Sequence, residues 1–387
     1  MQVNDLVLET FRNYERQEIE FAEGLNLVVG RNAQGKTNLL EGVYCLSGLG
    51  SPRGPDGTLI KEGSDGAFLH ARVTRGDRPI EIDMELRPKR ALRLLINKNA
   101  VQRSKALGRL PVTVFFGPDE LSLVKGSPDG RRRFLDDLVV KLRPSQDSLR
   151  REWEKVLKQR NALLRSLPKP DPPASMVGSL EVWNEAFFVA GAAVAAARLK
   201  ALARLIPFAD RRYKEVAGAG LLKLSYVSSW IPEDVSTAAL AAPDEIDEAV
   251  LSAALRARVN QLRTAELERR VSLTGPGRDD VLVLLRSGEG PLLDARTFAS
   301  QGDQRTAALA LKLGEHDLLT EALLESPILL LDDVFSELDP RRREWLRDAV
   351  RGVGQTILSS AEVDSWASVH AERTFHVSAG RATTAGS

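Results

Sequence analysis

The spacing of apolar positions changes twice along this chain. Over the first hundred residues the apolar runs are short, and many alternate with polar positions. Residues 3–8 and 18–21 predict strands, and the apolar run Leu25-Asn26-Leu27-Val28-Val29 predicts a buried one. Leu39, Leu40, Val43, Tyr44 and Leu46 then fall at helical spacing. A Pro/Gly-rich loop at 50–57 is followed by alternation at 67–73, 80–86 and 92–96, the pattern of an antiparallel meander. From 131 to about 271 the period becomes helical. Leu149, Trp153, Val156 or Leu157, Arg160 and Leu163 or Leu164 share one face. Leu180, Trp183, Phe187, Ala190 and Val194 share another, and Ile246, Val250, Ala254, Val259 and Leu262 a third. A proline-rich connector at 168–173 is expected to be stiff, and 221–226 reads as a strand within the helical region. Strand character returns at 281–285 and 328–331, and the small, polar tail after Ser378 predicts disorder.

Composition narrows the class. A chain of 387 residues with 43% apolar content has enough material for two domains. The net charge of +1 excludes a uniformly polyanion-binding surface, so any nucleic-acid contact must be a local patch. Cys45 is the single cysteine and stands on the apolar side of its helix, which points to packing in a reducing compartment. No signal pattern opens the chain and no run of about 18 apolar residues predicts a membrane span, so the expected location is the cytoplasm. The Ala-rich stretch at 189–203 is interrupted by Arg198 and Lys200 and predicts a tightly packed helix of a soluble domain.

Gly30-Arg31-Asn32-Ala33-Gln34-Gly35-Lys36-Thr37 matches the phosphate-loop pattern G-x-x-x-x-G-K-[ST], set between a predicted strand and a predicted helix that continues through Asn38. Glycines there let backbone N–H groups crowd around phosphate oxygens at a helix N-terminus. Lys36 is expected to reach the terminal phosphates, and the Thr37 hydroxyl to ligate Mg²⁺ beside ATP. The second half of such a site is Ile328-Leu329-Leu330-Leu331-Asp332-Asp333, an apolar strand ending in two acids. Asp332 is expected in the Mg²⁺ shell, with Asp333 orienting or deprotonating the attacking water. Ser300-Gln301-Gly302-Asp303-Gln304 opens a further helix, with Ser300 as N-cap and Gln304 at or next to the capping-box position.

The order of these motifs resembles the ATPase head of the ABC/SMC class, and longer segments narrow the resemblance to the RecF family. They are 118–136, running from Pro118-Asp119-Glu120-Leu121 to Arg131-Arg132-Arg133-Phe134-Leu135-Asp136; 329–339, ending Val334-Phe335-Ser336-Glu337-Leu338-Asp339; 275–280; and the start, with Arg12-Asn13-Tyr14. The resemblance implies an α/β protein: an ABC-type (SMC-like) P-loop ATPase head with an inserted, mainly helical arm domain. The expected divisions are 1–112 and 273–378 for the head, 113–272 for the arm and 379–387 for a disordered tail. It implies an ATP-dependent homodimer in which Ser300, Gln301, Gly302 and Gln304 of one copy complete the other's nucleotide site, with Asp339 at the boundary. Arg12 and Asn13 are expected near the nucleotide. It also implies binding to gapped, double-stranded or junction DNA, and work with RecR, RecO and RecA in replication and repair.

Two departures from related heads imply slow hydrolysis. No glutamine stands at Phe115-Phe116-Gly117, and no histidine in 356–361. The residues leave two alternatives open: another SMC-like head ATPase, or a non-hydrolysing ATP-gated DNA scaffold. For DNA, every charged residue from 87 to 109 is basic: Arg87, Lys89, Arg90, Arg93, Lys98, Arg103, Lys105 and Arg109. Such a stripe suits phosphate contacts, or else keeps a strand edge from pairing. Arg131-Arg132-Arg133 and Arg341-Arg342-Arg343 are shorter basic clusters.

Overall fold

Two kinds of apolar pattern give two kinds of sheet. The computed structural model describes residues 1–387 except 77, 169–172, 219, 287, 362–370 and 385–387, and excepts the side chains of 174, 177, 336 and 337. In chain order the elements are β1 (Gln2–Phe11), β2 (Tyr14–Glu20), β3 (Leu25–Val29), α1 (Lys36–Cys45), β4 (Ala67–Arg75), β5 (Arg78–Leu86), β6 (Arg93–Ile96), β7 (Asn99–Ala100), α2 (Arg103–Ala106) and β8 (Thr113–Phe116). There follow α3 (Ser122–Lys125), α4 (Pro128–Leu142), α5 (Asp147–Ser166), α6 (Ala174–Ala217), β9 (Leu221–Val227), α7 (Glu233–Ala241), α8 (Glu248–Arg269), β10 (Asp280–Arg286), β11 (Leu293–Asp294) and α9 (Ala295–Phe298). Last come α10 (Gln301–Leu323), β12 (Ile328–Asp332), α11 (Pro340–Ala349), β13 (Thr356–Ser360), β14 (Arg373–Ser378) and β15 (Arg381–Thr384). Contacts divide the chain into two units, Met1–Leu121 with Ala308–Ser387, and Ser122–Ala307.

In the first unit, alternation produces a six-stranded sheet in the order β2-β1-β4-β5-β6-β7, antiparallel at every pairing. Ala67, Leu69, Ala71 and Val73 of β4 are buried while the residues between them face outward, as period-two geometry requires. The continuous apolar runs go to a second sheet, β15-β14-β3-β13-β12-β8, parallel from β14 to β8. All five residues of β12 and all five of β13 are buried, the signature of a parallel strand covered on both faces. Helix α1 packs on β12, β13 and β8 and also on β1, so it joins the two sheets into one core. The approach is close: a Cβ on Gly42 would stand 2.9 Å from Leu8 Cδ2.

Three expectations about boundaries change. Residues 113–116 form β8, paired in parallel with β12, so the head extends beyond 112. Thr113-Val114-Phe115-Phe116 is short and does not alternate, and periodicity cannot tell such a run from buried helix. The tail after 378 is not simply disordered, because Arg381–Thr384 pair with β14. Residues 273–307, expected with the head, cluster with the helical unit. The proline-rich connector falls mainly on 169–172, outside the described residues.

The second unit is built around α6, a 44-residue helix packed on α4, α5, α7, α8 and β9. Its stretch Gly178–Ala217 is long and apolar enough to cross a membrane by length and composition alone, and 67% of its most apolar window is buried within the protein, as in a core helix. Ala192, Val194, Ala195, Leu199, Leu202 and Leu205 fill the core. On α8 the buried apolar residues are Leu251, Leu255 and Val259; Val250, expected on that face, is 48% exposed. Strands β9, β10 and β11 form a small antiparallel sheet.

Buried ion pairs explain two of the sequence segments in this unit. Arg131 on α4 donates to both carboxylate oxygens of Asp280, at 2.7 and 2.8 Å, and to the Gly126 carbonyl. Arg132 donates to the Asp279 carbonyl. Asp279 accepts from the Tyr226 hydroxyl at 2.8 Å and the Trp230 indole at 3.0 Å, and burial raises its carboxyl to about 6. Arg198 of α6 is clamped by Asp136 at 2.7 and 2.9 Å and donates to the Pro276 carbonyl. Segments 118–136 and 275–280 are thus two halves of one fastening. Gly277 is exposed, and a Cβ there would come no closer than 3.8 Å to Trp153, so packing does not demand glycine.

Removing one member of a buried pair strands the other charge, at a cost of about 3–5 kcal/mol. Asp136→Ala should therefore lower unfolding stability by about that amount and Asp136→Asn by less, as measured by urea denaturation monitored through tryptophan fluorescence.

Candidate functional site

The loop between β3 and α1 is shaped by backbone that side chains cannot follow. Gly35 has φ +122°, and a Cβ on it would lie 2.8 Å from Asn13 Nδ2 and 3.0 Å from the Tyr14 hydroxyl. Gly35 caps α1 without any side-chain acceptor, which leaves the helix's first N–H groups for an anion. Tyr14 is fully buried and donates to the Gly35 carbonyl at 3.0 Å; burial raises its pKa. Lys36 is 6% exposed and donates to the carbonyls of Gly30 at 2.7 Å and Arg31 at 3.0 Å, so its ammonium lies within the loop's own curve. Burial lowers its pKa, while the charges of Asp333 and Asp332 oppose that shift.

Register supplies the acids. Asp332, the last residue of β12, pairs with Ser359 of β13. The Ser359 hydroxyl donates to Asp332 Oδ1 at 2.6 Å, and the Thr37 hydroxyl lies near enough to the same carboxylate to favour its charged form. Asp332 is 3% exposed, and burial raises its pKa despite both hydroxyls. The chain then turns through Asp333 at φ +49°, whose N–H donates to the Ser359 carbonyl at 3.2 Å and hydroxyl at 3.1 Å. The predicted residues Lys36, Thr37, Asp332 and Asp333 are therefore brought together. Thr37 and Asp332 present adjacent hard oxygens, and among the described residues no group of three or more His, Cys, Asp or Glu is placed to hold a metal. A two-oxygen protein contribution, completed by phosphate and water, fits Mg²⁺.

Arg12 is held by a residue that the sequence reading missed. At φ +55° it donates in bidentate fashion to Glu41, at 2.8 Å to each oxygen. Glu41 of α1 is fully buried and also accepts from Ser51, with Arg53 at 3.5 Å. One signal was available: an acid inside an otherwise apolar helical run needs a cation. Asn13 lies against the phosphate loop, donating to the Gln34 carbonyl at 3.0 Å and accepting from Asn38 at 2.8 Å. Gln34 is fixed from the far end of the chain by the N–H groups of Ala379 at 2.7 Å and Gly380 at 3.1 Å. The segment expected to be disordered thus closes on the phosphate loop. Ser359 was missed because a hydroxyl in a strand reveals nothing of its partner until register is known.

The remaining candidates separate. Ser300 caps α10 and exchanges hydrogen bonds with Asp303, which occupies the capping-box position that Gln304 was expected to hold or adjoin. Ser300 and Gln301 are exposed and Gly302 is half-buried. Gln304 is 4% exposed and donates to the carbonyls of Ala295 at 2.9 Å and Arg296 at 3.3 Å, so it faces inward. Asp339 caps α11 by accepting from the Arg342 N–H at 3.0 Å, which together with Arg342's charge lowers its pKa. In the basic stripe, Arg87 and Arg93 both pair with Glu85, Arg87 from two residues along the chain and Arg93 from the neighbouring strand. Lys89 and Arg90 stand exposed in the β5–β6 turn, and Lys98 in the β6–β7 turn. Arg103 is half-buried and Lys105 exposed on or beside the short α2. Arg131 and Arg132 are engaged by Asp280 and Asp279, as above.

A family model described as "RecF/RecN/SMC N terminal domain" matches residues 2–383. The DNA replication and repair protein RecF of Acidothermus cellulolyticus is 40% identical over 93% of this chain and 94% of its own length. That of Streptomyces avermitilis is 40% identical over 94% of each. The chain belongs to the RecF family. A solved structure described as the recombination mediator protein RecF-ATP in the RecFOR pathway superposes with TM-score 0.87 at 28% identity, over 99% of this chain and 97% of that one. An SMC head domain from Pyrococcus furiosus, with an extended coiled coil and bound to the C-terminal domain of ScpA, shares the fold at TM-score 0.55 and 15% identity, over 99% and 95% of the two chains.

Because Arg12 neutralises a buried carboxylate, its loss should damage folding as well as any nucleotide contact. Arg12→Ala is expected to lower stability by about 3 kcal/mol without nucleotide present, and adding Glu41→Gln should restore much of it; denaturant melts check both.

Proposed function

We propose that this protein is an ATP-dependent DNA-binding protein of replication and recombinational repair. ATP with Mg²⁺ joins two copies, and the pair binds gapped or double-stranded DNA near single-strand junctions. With RecR and RecO it helps RecA load, in the cytoplasm. Hydrolysis is slow and serves as a switch. The observation that carries this reading is the convergence of Lys36, Thr37, Asp332 and Asp333 around a loop whose helix N-terminus lacks any side-chain cap. Family membership and a RecF-ATP neighbour support it.

The residues divide the work as follows. N–H groups of 33–38 receive phosphate oxygens, and Lys36 exchanges its carbonyl partners for the terminal phosphates. Thr37 and Asp332 would hold Mg²⁺, which when bound offsets charge on the phosphoryl oxygens. Ser359 keeps the Asp332 carboxylate oriented by donating to its Oδ1. Asp333 orients the attacking water or takes its proton. Ser300, Gln301 and Gly302 present an exposed helix start, suited to grip the terminal phosphate held by a second copy. Gln304 supports that start from inside rather than reaching across. ATP favours the pair because its terminal phosphate meets both copies, whereas ADP lacks that group. Asp339 fixes α11 by its cap and is placed at the boundary by resemblance alone.

DNA contact falls to exposed cations without an acid partner among the described residues, Lys89, Arg90, Lys98 and Lys105, with the paired Arg87 and Arg93 and the half-buried Arg103 as weaker contributors. Contacts to backbone phosphates, without sequence readout, suit a stripe that lacks aromatic residues.

Sedimentation with ATP, ADP or neither tests the pairing. Ser300→Arg and Lys36→Ala should abolish ATP-dependent dimers, and a dimer formed equally well with ADP would refute the reading. Asp333→Asn should keep ATP binding and pairing yet lose phosphate release. Reversing Lys89, Arg90 and Lys98 should weaken DNA binding and flatten its dependence on salt, measured by fluorescence anisotropy.

A further inference from the structure

Large apolar side chains seldom stand exposed together unless something covers them. In the second unit Phe298 is 65% exposed and Leu293 41% exposed. Both line a recess of about 170 Å³ whose other walls include Tyr213, Leu285 and Pro291, and which Asp303 borders. Tyr213 and Leu285 are 1% and 6% exposed, so the floor is core and the rim is open. The volume is close to the ~150 Å³ that accommodates a benzene-sized apolar group.

The patch is rigidly tied to the exposed start of α10. Asp294 caps α9 by accepting from the Arg296 N–H at 3.0 Å and the Thr297 hydroxyl at 3.1 Å. The Gln304 amide donates to two α9 carbonyls, and Asp303 both exchanges hydrogen bonds with Ser300 and borders the recess. Phe298 and Ser300 therefore belong to one continuous, preorganised surface. Phe298 stands two residues before Ser300, so a partner large enough to cover the helix start can also reach Phe298.

We propose that Phe298 and Leu293 form the apolar anchor of the interface between two copies of this chain, the recess taking one apolar side chain of the second copy. This rests on the ATP-dependent pairing proposed above and names the residues that give it affinity. A triphosphate supplies the switch, since only it bridges the copies. An aromatic anchor beside it supplies burial that a polar helix start does not, and such anchors dominate interface energetics. Two-fold pairing uses the patch twice.

The test uses the full chain with Mg²⁺ and a non-hydrolysed ATP analogue, in analytical ultracentrifugation. Phe298→Ala is expected to raise the dimer dissociation constant about 30-fold or more. Fluorescent-nucleotide binding at concentrations where the chain is monomeric, and the unfolding temperature, should both stay as in the unmodified chain. Leu293→Ser should act in the same direction and Phe298→Trp should retain pairing. If Phe298→Ala and Leu293→Ser pair normally while Ser300→Arg does not, the anchor is refuted and the pairing reading stands. If Ser300→Arg also pairs normally, the pairing reading falls and this inference with it. Normal pairing accompanied by loss of binding to gapped duplex DNA would assign the patch to another partner and overturn the proposal.

Discussion

A carboxylate buried at the end of a parallel strand needs donors, and the first unit is arranged around meeting that need for Asp332. The residue is 3% exposed, in a sheet whose central strands are buried along their whole length. Among the described residues, the Ser359 hydroxyl of the neighbouring strand donates to it and the Thr37 hydroxyl of the phosphate loop lies alongside. That single carboxylate thus links the β12–β13 register to the loop and to α1. A shift of one residue in that pairing would turn Ser359 away and leave a buried charge without its strongest partner. The geometry that suits a metal and a phosphate is the same geometry that makes the strand end tolerable.

The second unit follows the same logic with arginine. Arg131, Arg198 and Arg160 are each at most 5% exposed, and each is forked onto carboxylates or amide oxygens carried by other elements. Arg160 donates to Asn184 and Ser272 and pairs with Glu266 while lying 4.7 Å from the centre of the Phe187 ring. Guanidinium groups suit this role because they remain charged when buried and donate in fixed directions. Basic residues that look like a nucleic-acid patch when read along the chain are here the fasteners of a helical unit.

The contrast with the stripe on the first unit is instructive. From 87 to 109 no acid appears in sequence, yet Glu85, just outside that window, pairs with Arg87 along the chain and with Arg93 across β5 and β6. Their mutual attraction is weak at such exposure, but it lowers the number of cations free to meet phosphate. Among the described residues the exposed cations without an acid partner, Lys89, Arg90, Lys98 and Lys105, occupy two turns and α2 rather than one line.

Local chemistry determined much about this protein before any fold was known. The phosphate loop, the strand ending in Asp332-Asp333, the antiparallel meander and the helical middle all rest on spacings of a few residues, and short-range periodicity carries that information. Tertiary structure alone decided which polar residues meet: Ser359 with Asp332, Glu41 with Arg12, the 379–380 turn with Gln34, Arg131 with Asp280. Gln34 and Ala379 stand 345 residues apart, and only sheet register and packing bring such partners within hydrogen-bond reach. It also moved β8 into the parallel sheet and turned Gln304 inward, because burial depends on what lies on the other side of an element, and that is written nowhere in its own sequence.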